Sequence, residues 1–230
     1  MRAVFLSLAV GMLILPGGVQ ASTREREKAS ISSTQTLSFD PEGVIQLEQS
    51  FGDVQIEGWD RPEVEITTIR STQRKYTESE RIEARRELEN IAITAVKQGE
   101  DRLKITTQFP SRRMAGPLRG KTDADLKYVI KAPAQAKLVV HHDIGQVTVK
   151  NFTSDIEVTN RIGEIGLTLP EPESYAVDAS VRIGELSSDV GCSEGRNLMG
   201  HQLHTEAGAM HRQLYLRVGI GDISIKKIQW

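Results

Sequence analysis

The sequence contains a single cysteine, Cys192, among its 230 residues. One thiol cannot form an internal disulfide, so side-chain packing and backbone hydrogen bonds must stabilise the fold. We expect Cys192 to be buried and unreactive. An intermolecular disulfide and a reactive thiol are the alternatives, because thiol reactivity requires an activating environment.

Aromatic residues are also scarce, at 5% of the chain, and neither sign of charge dominates. The 29 basic and 31 acidic side chains leave a formal net charge of −2. Nucleic-acid-binding proteins present a clustered basic face, so this balance argues against a nucleic acid partner. The hydrophobic content of 38% is low, as is typical of strands with one buried and one solvated face.

Long apolar runs are missing except near the N-terminus. Residues 3–15 are apolar, follow a basic residue and end at a Pro-Gly-Gly break, and residues 19–21 place small side chains before a cleavage point. This arrangement predicts a signal peptide over residues 1–21, and therefore an exported protein in the periplasm or at the cell surface. An uncleaved anchor is the alternative, although the run is shorter than the ~20 residues that span a bilayer.

The most informative pattern is a four-residue phrase that occurs five times: an apolar residue, a glycine, an acidic or amide residue, and an aliphatic residue. Alternating apolar residues continue beyond most copies, as at residues 54–56, which predicts a turn that leads into a strand. The repeat glycines are Gly52, Gly145, Gly163, Gly184 and Gly221. A strand-and-turn unit repeated in this way predicts a repetitive β architecture.

The spacing of the later copies indicates how the units are arranged. From Gly145 onward they recur about every 20 residues, with one interval of nearly twice that length before Gly221. A degenerate copy at residues 207–210 would fill the long interval. A period of this length favours a β-solenoid-like stack, in which the short strands of neighbouring turns pair. An antiparallel β-sandwich is the alternative, since its hairpins also recur at short intervals.

One helix and one hairpin are predicted between the first copy and the others. Thr77 and Glu80 have the spacing of a capping box, and apolar residues then follow on one helical stripe to about Glu89. Strands at about residues 91–97 and 102–108 predict a hairpin with a glycine-containing turn.

These features divide the chain into four regions. Residues 1–21 are the signal peptide, and the polar, charged residues 22–34 predict a flexible leader. Residues 35–120 form an N-terminal β region with one helix, which ends in a cationic, proline-containing loop at 109–121. Residues 121–230 form the repeat region, and the early copy of the phrase indicates that the two regions continue one architecture.

Acidic residues follow the glycines at equivalent positions, so stacked turns would bring them together. Calcium prefers carboxylate oxygens, but calcium-binding repeats use a denser Gly-Asp pattern than this one. The weak candidates for such a site are Asp53, Glu164, Glu185 and Asp222. We therefore expect solvated acids, no metal site and no cofactor.

No catalytic motif stands out in the sequence. His201 and His204, with His211 and Cys192, match no established zinc spacing, and a Gly-x-Ser-x-Gly nucleophile elbow is absent. Paired carboxylates for glycoside hydrolysis can come together from any two positions, so that chemistry stays open.

Between residues 126 and 226, a Lys-Tyr-Val-Ile strand, a proline bend, an apolar strand and the Gly-acid-aliphatic repeats follow in order. This order resembles the bacterial putative-adhesin β-strand repeat family, the domain-of-unknown-function 4097 group, most clearly at residues 216–225. The helix and hairpin at 84–107 are similar too. Family repeats carry a small residue before Gly-Asp, where this chain has Phe51 or isoleucine. The resemblance implies an exported protein with no established biochemical activity.

We expect an exported, non-catalytic β-repeat protein that acts as an envelope-interaction or adhesin-like module. Its expected partner is an envelope protein or a surface polysaccharide. Two alternatives stay open: a carbohydrate-active enzyme built on a β-helix, and a periplasmic sensor or partner domain that docks through the predicted helix.

Overall fold

The computed structural model describes residues 26–99, 101–109, 123–189, 193–197, 200–205 and 212–228. The predicted signal peptide, most of the loop at 109–121, Cys192 and the degenerate copy at 207–210 lie outside the described residues. Within the described part the chain is mainly β, as predicted, with a single α-helix. No helix in this part is long and apolar enough to span a membrane.

The elements follow one another along the chain in two groups. The first group is β1 (Glu27–Ser38), β2 (Val44–Phe51), β3 (Asp53–Trp59), β4 (Glu63–Tyr76), α1 (Glu78–Glu89), β5 (Ala92–Lys97) and β6 (Arg102–Gln108). The second group is β7 (Ala124–Pro133), β8 (Lys137–Ile144), β9 (Val147–Lys150), β10 (Ile156–Ile162), β11 (Ile165–Leu169), β12 (Tyr175–Ile183), β13 (Leu186–Ser188), β14 (Ser193–Asn197), β15 (Gly200–Thr205), β16 (Arg212–Ile220) and β17 (Ile223–Lys227).

The strands form two mixed sheets whose buried side chains make one core. Sheet 1 has the order β1-β4-β7-β3-β9-β11-β17-β13. Sheet 2 has the order β14-β15-β12-β16-β10-β8-β2-β6-β5. Alternate residues of the central strands are buried, as in β10 and β11, so the faces of the sheets that point away from the core are open to solvent.

Each copy of the repeated phrase joins a strand of sheet 2 to a strand of sheet 1. The five units are β2–β3, β8–β9, β10–β11, β12–β13 and β16–β17. Equivalent strands pair in parallel and in register, so that Ile162 lies between Ile144 and Ile220. The stacking order nevertheless differs from the chain order, because β16–β17 lies between β10–β11 and β12–β13.

The long interval before Gly221 contains the hairpin β14–β15. This hairpin pairs antiparallel with the outer side of β12, and β16 then pairs parallel with the inner side of β12. The chain therefore passes beyond the fourth unit before it returns, which explains why the fifth unit is inserted rather than added at the end.

The repeat glycines stack at the corner between the two sheets. Their φ angles lie between +114° and +136°, a region that favours glycine. A Cβ atom on Gly163 would lie 2.0 Å from the carbonyl oxygen of Gly145, and one on Gly221 would lie 2.0 Å from that of Gly163. Each corner therefore leaves no room for a side chain.

Residues 27–34 of the predicted flexible leader are part of β1. This strand pairs antiparallel with β4, Ala29 is fully buried, and the hydroxyl oxygens of Ser33 and Thr68 lie 2.8 Å apart. The polar composition predicted disorder, but an edge strand needs few apolar side chains when backbone hydrogen bonds and hydroxyl pairs join it to its neighbour.

The predicted helix and hairpin are both present. Glu80 Oε2 accepts the backbone N–H of Thr77 at 3.0 Å, which completes a capping box. Helix α1 contacts β1 and β4, and its apolar residues Ala84 and Leu88 are fully buried. Strands β5 and β6 pair antiparallel after it. The apolar side of α1 thus packs against β1 and β4, and most of its charged residues face outward.

Three polar side chains interrupt the apolar interior beside the glycine corner. Gln49, His142 and Asn160 occupy adjacent register positions on β2, β8 and β10, and all three are buried. The Asn160 side-chain amide donates to the carbonyl oxygen of Gly145 at 2.8 Å. Asn160 thus satisfies a backbone carbonyl at the corner, whereas the side-chain nitrogen and oxygen atoms of Gln49 and His142 are buried without a hydrogen-bond partner among the described residues.

Replacing a corner glycine should destabilise the protein far more than replacing a glycine within a strand. Gly163→Ala should cost about 3 kcal/mol or more of unfolding free energy, because φ is +132° and the new methyl group overlaps the Gly145 carbonyl. Gly166→Ala on β11 is the matched control, since a Cβ there meets no atom within 4 Å. Urea denaturation measures both, and equal midpoints would show that the corner does not require glycine.

His142 should make folding stability depend on pH. Burial lowers its pKa below the usual 6.5, and the backbone carbonyls of Gly52 and Ile144 oppose this shift only in part. As the pH falls through about 6.5, His142 therefore gains a proton in the unfolded chain, while its imidazole stays neutral in the folded protein. The free energy of unfolding should decrease below that pH and level off below the folded-state pKa of His142.

The variant His142→Asn should flatten this decline in the free energy of unfolding. The variant His141→Asn provides the control, because it removes an exposed imidazole from the same strand. Denaturation series between about pH 7.5 and about pH 5 make the comparison. If the free energy of unfolding of His142→Asn depends on pH as steeply as that of the parent, the buried imidazole is not the source of the dependence.

Candidate functional site

An open groove runs across the outer face of sheet 2, close to the glycine corner. It consists of two adjoining cavities of about 720 Å³ and about 430 Å³, which share Thr159 and Arg161 in their linings. The lining extends from Thr106 on β6 to Gln202 on β15. Seven strands take part, so the groove is roughly 29 Å long at the usual strand spacing.

The repeat register determines which side chains line this groove. Residues at one position of successive strands pair directly with one another and point away from the core. In order across the sheet, this row is Thr106, Glu48, His141, Thr159, Arg217, Ser180 and Gln202. Hydroxyl, amide and charged groups therefore alternate along the groove, and no side chain in the row is aliphatic.

A second outward row lies between the first row and the corner, two residues before each repeat glycine. Its members on β8, β10, β16 and β12 are Asp143, Arg161, Gly219 and Arg182. Arg161 Nε lies 3.7 Å from Asp143 Oδ1, whereas Arg182 makes no ion pair with any residue that the structure describes. Among the described side chains, this end of the groove therefore carries one positive charge without an acidic partner.

Arg217, in the first row, is held more firmly than the other two arginines. Its Nη2 lies 2.6 Å from Asp178 Oδ2, and its Nη1 donates to the Asp178 carbonyl at 2.9 Å. The guanidinium carbon is 4.0 Å from the centre of the Tyr215 ring. Stacking and ion pairing together fix the position of this side chain.

The repeat acids lie on the other side of the corner, at the start of the sheet 1 strands. Asp53 Oδ1 accepts the backbone N–H of Gln146 at 3.2 Å, and Asp222 Oδ1 accepts that of Glu185 at 2.7 Å. Each aspartate thus caps the unit stacked next to it. All four acids and Gln146 are exposed, and none of them lines the groove.

The described residues contain no group of three or more His, Cys, Asp or Glu side chains arranged to hold a metal ion. The calcium candidates Asp53, Glu164, Glu185 and Asp222 form a linear row rather than a converging cluster. His201 and His204 lie on β15, while His211 and Cys192 fall outside the described residues.

An exposed aliphatic ridge separates the groove from the acid row. It is formed by the residues directly before the repeat glycines: Ile144, Ile162, Ile220 and Ile183, which are 41–60% exposed. At the same position in the first unit, Phe51 packs near Phe109 with ring centres 5.7 Å apart. The corner bends the chain before these side chains reach the core, although their sequence pattern suggests burial.

Sequence analysis did not identify the groove residues, because they lie outside the four-residue phrase. A signal was present: Arg161 and Arg182 both stand two positions before a repeat glycine, in two copies of Arg-Ile-Gly-Glu. The repeated phrase is defined by its glycine and aliphatic residues, which determine the fold. The position two residues before each glycine points into the groove, and this becomes apparent only when the units are stacked.

Comparison with solved structures finds matches among bacterial proteins. A structure from Clostridium sporogenes described as a "putative cell adhesion protein" has a TM-score of 0.52 and 13% sequence identity, covering 86% of this chain and 100% of that chain. A "putative adhesin" from Bacteroides fragilis has a TM-score of 0.29 and 10% identity, with 86% and 97% covered. A "putative lipid binding protein" from Parabacteroides distasonis has a TM-score of 0.26 and 9% identity, with the same coverage.

No family model matches the chain, and no curated protein sequence matches it either. At 13% identity the Clostridium structure shows a shared fold alone, and TM-scores as low as 0.29 and 0.26 do not establish even that. The chain therefore shares its overall fold with the Clostridium sporogenes structure.

Proposed function

We propose that the protein is an exported, non-catalytic interaction module of the cell envelope, and that the groove on sheet 2 is its binding surface. The observation that carries this proposal is the in-register row of polar side chains across seven strands. An extended ligand lying across the strands meets one outward side chain per strand. A repetitive surface of this kind suits a polymer better than a small molecule, which binds in an enclosed pocket.

The charged groups of the groove support binding rather than hydrolysis. Its two carboxylates, Glu48 and Asp143, each face a cation: Lys104 Nζ lies 2.9 Å from Glu48, and Arg161 Nε lies 3.7 Å from Asp143. Both carboxylates of the groove are therefore already engaged by neighbouring cations. We therefore favour a binding module over a carbohydrate-active enzyme.

The arrangement of the units supports a solenoid-like stack rather than a sandwich. Parallel pairing at constant register links the five units in both sheets, and β6 and β7 add a further level to sheets 2 and 1. The antiparallel strands lie at the outer ends of the sheets. A stack of this kind exposes the same positions of every unit along one face.

The description of one structural neighbour agrees with this proposal. The Clostridium sporogenes structure is described as a putative cell adhesion protein. An adhesion role for this chain would place the module outside the cytoplasm, as the apolar N-terminal run also predicts. We infer a component of the envelope or a surface polysaccharide as the ligand.

Export should remove the N-terminal segment. The small residues at positions 19–21 favour cleavage after Ala21, so the mature protein should begin at Ser22. N-terminal sequencing and intact mass measurement of the protein recovered from the envelope fraction test this. An intact Met1 in that fraction would instead indicate a retained anchor.

Blocking the groove should abolish envelope binding. Thr159 on β10 lies where the two cavities meet, so Thr159→Trp should lower binding to isolated envelope material at least about tenfold by steric exclusion. Thr168→Trp provides a matched control, because Thr168 lies in the same unit but on sheet 1. Co-sedimentation of each variant with envelope fragments measures the difference.

Both variants must retain the parental unfolding midpoint, since the new side chains point away from the core. Equal binding by Thr159→Trp and Thr168→Trp would show that the groove is not the binding surface. Equal loss in both would point to a surface that extends beyond sheet 2.

A further inference from the structure

One position in the groove has a floor without a side chain, and two arginines flank it. The guanidinium of a third arginine, Arg217, points away from this position, toward Asp178 and Tyr215. Gly219 on β16 lies between Arg161 on β10 and Arg182 on β12 in the register of sheet 2. Arg217 lies two residues before Gly219 on the same strand, and therefore on the same face. All four residues line the larger cavity.

The glycine leaves a slot between the arginines that flank it. Arg161 and Arg182 lie two strand spacings apart, so their Cα atoms are separated by roughly 10 Å. A Cβ atom on Gly219 would lie 2.5 Å from the backbone oxygen of Arg161, so the packing of β16 against β10 keeps this slot free of a side chain. Arg161 Nε lies 3.7 Å from Asp143 on β8, so this side chain must turn toward β16 to reach a group above the glycine.

The charges around the slot do not cancel. Asp178 pairs with Arg217 at 2.6 Å, and Asp143 lies 3.7 Å from Arg161, whose side chain is 65% exposed. Arg182 is exposed and has no ion-pair partner among the described residues. Among the described side chains, Arg182 therefore leaves a net positive charge beside the slot, which would attract an anion.

Neutral donors complete the slot. Thr159 and Ser180 flank Arg217 in the adjacent row, on the same strands as the two outer arginines. Guanidinium groups bind planar carboxylate and tetrahedral sulfate or phosphate oxygens through paired hydrogen bonds, and hydroxyls satisfy remaining oxygens. The chemistry of this slot is therefore that of an oxyanion site.

We propose that Arg161 and Arg182, with Thr159 and Ser180 near Gly219, bind an oxyanion carried by an acidic polysaccharide. This inference rests on the proposed function, since it names the ligand class for the same groove. The rest of the groove favours a polymer over a membrane: hydroxyl and amide side chains continue away from the slot and suit sugar hydroxyls, and the recessed surface does not match a flat bilayer.

Isothermal titration of the exported protein against defined polymers tests the inference. The probes are polygalacturonate, which carries carboxylates, dextran sulfate, which carries sulfates, and neutral dextran. We expect at least one acidic polymer to bind, with an affinity that falls as salt is added, and neutral dextran not to bind. Binding of neutral dextran as tight as that of the acidic polymers would overturn the oxyanion requirement.

Arg182→Gln should weaken binding of the acidic polymer at least about tenfold, because hydrogen bonds from a charged donor to an anion are among the strongest in proteins. Arg161→Gln should have a similar effect. The control is Arg86→Gln, which removes the same charge from the exposed face of α1 and should change the affinity less than about twofold. Equal effects of Arg182→Gln and Arg86→Gln would overturn the site.

Two further outcomes separate this inference from the proposed function. Binding to vesicles of anionic phospholipid, without binding to either acidic polymer, would overturn the polysaccharide as the carrier of the oxyanion. Envelope binding that Thr159→Trp abolishes but Arg182→Gln leaves intact would overturn the slot while supporting the groove as the binding surface.

Discussion

The close approach of one repeat glycine to the carbonyl of the next is the constraint on which the rest of the structure depends. A Cβ at Gly145, Gly163, Gly184 or Gly221 would come within 1.9–2.1 Å of the neighbouring glycine oxygen. Backbones can stack this tightly only when every unit turns at the same position. The corner therefore fixes the register of both sheets at once, since each glycine ends a strand of sheet 2 and precedes a strand of sheet 1.

Because the units stack in register at the corner, equivalent side chains of successive units form parallel rows. Residues after the glycine form the exposed acid row, residues directly before it form the aliphatic ridge, and residues two positions before it enter the groove. The repeat acids and the groove arginines thus lie on opposite sides of the corner, although they are close together in the sequence. Asp222 illustrates the result: its carboxylate caps the neighbouring Glu185 N–H rather than meeting Arg182 across the ridge.

Local signals in the sequence were sufficient for the elements that depend on near neighbours. The Thr77–Glu80 capping box, the β5–β6 hairpin and the strand pattern beyond each glycine could all be predicted, because each is decided within a few residues. Residues 27–34 of β1 were not predicted as strand, because they are stabilised by pairing with β4, 33–49 residues away. The groove was missed for the same reason, since each of its neighbouring side chains comes from a different unit.

The order in which the units stack, which differs from their order along the chain, determines which side chains are neighbours in the groove. If the units stacked in succession, β12 would pair directly with β10, and Arg182 would lie beside Arg161 with no space between them. Like charges at directly paired positions destabilise a sheet and leave no room for a ligand. Insertion of β16 places Gly219 between the two arginines and turns a repulsive pair into a slot. The β14–β15 hairpin, which carries the chain past β12 before it returns, is thus the element that creates the proposed site.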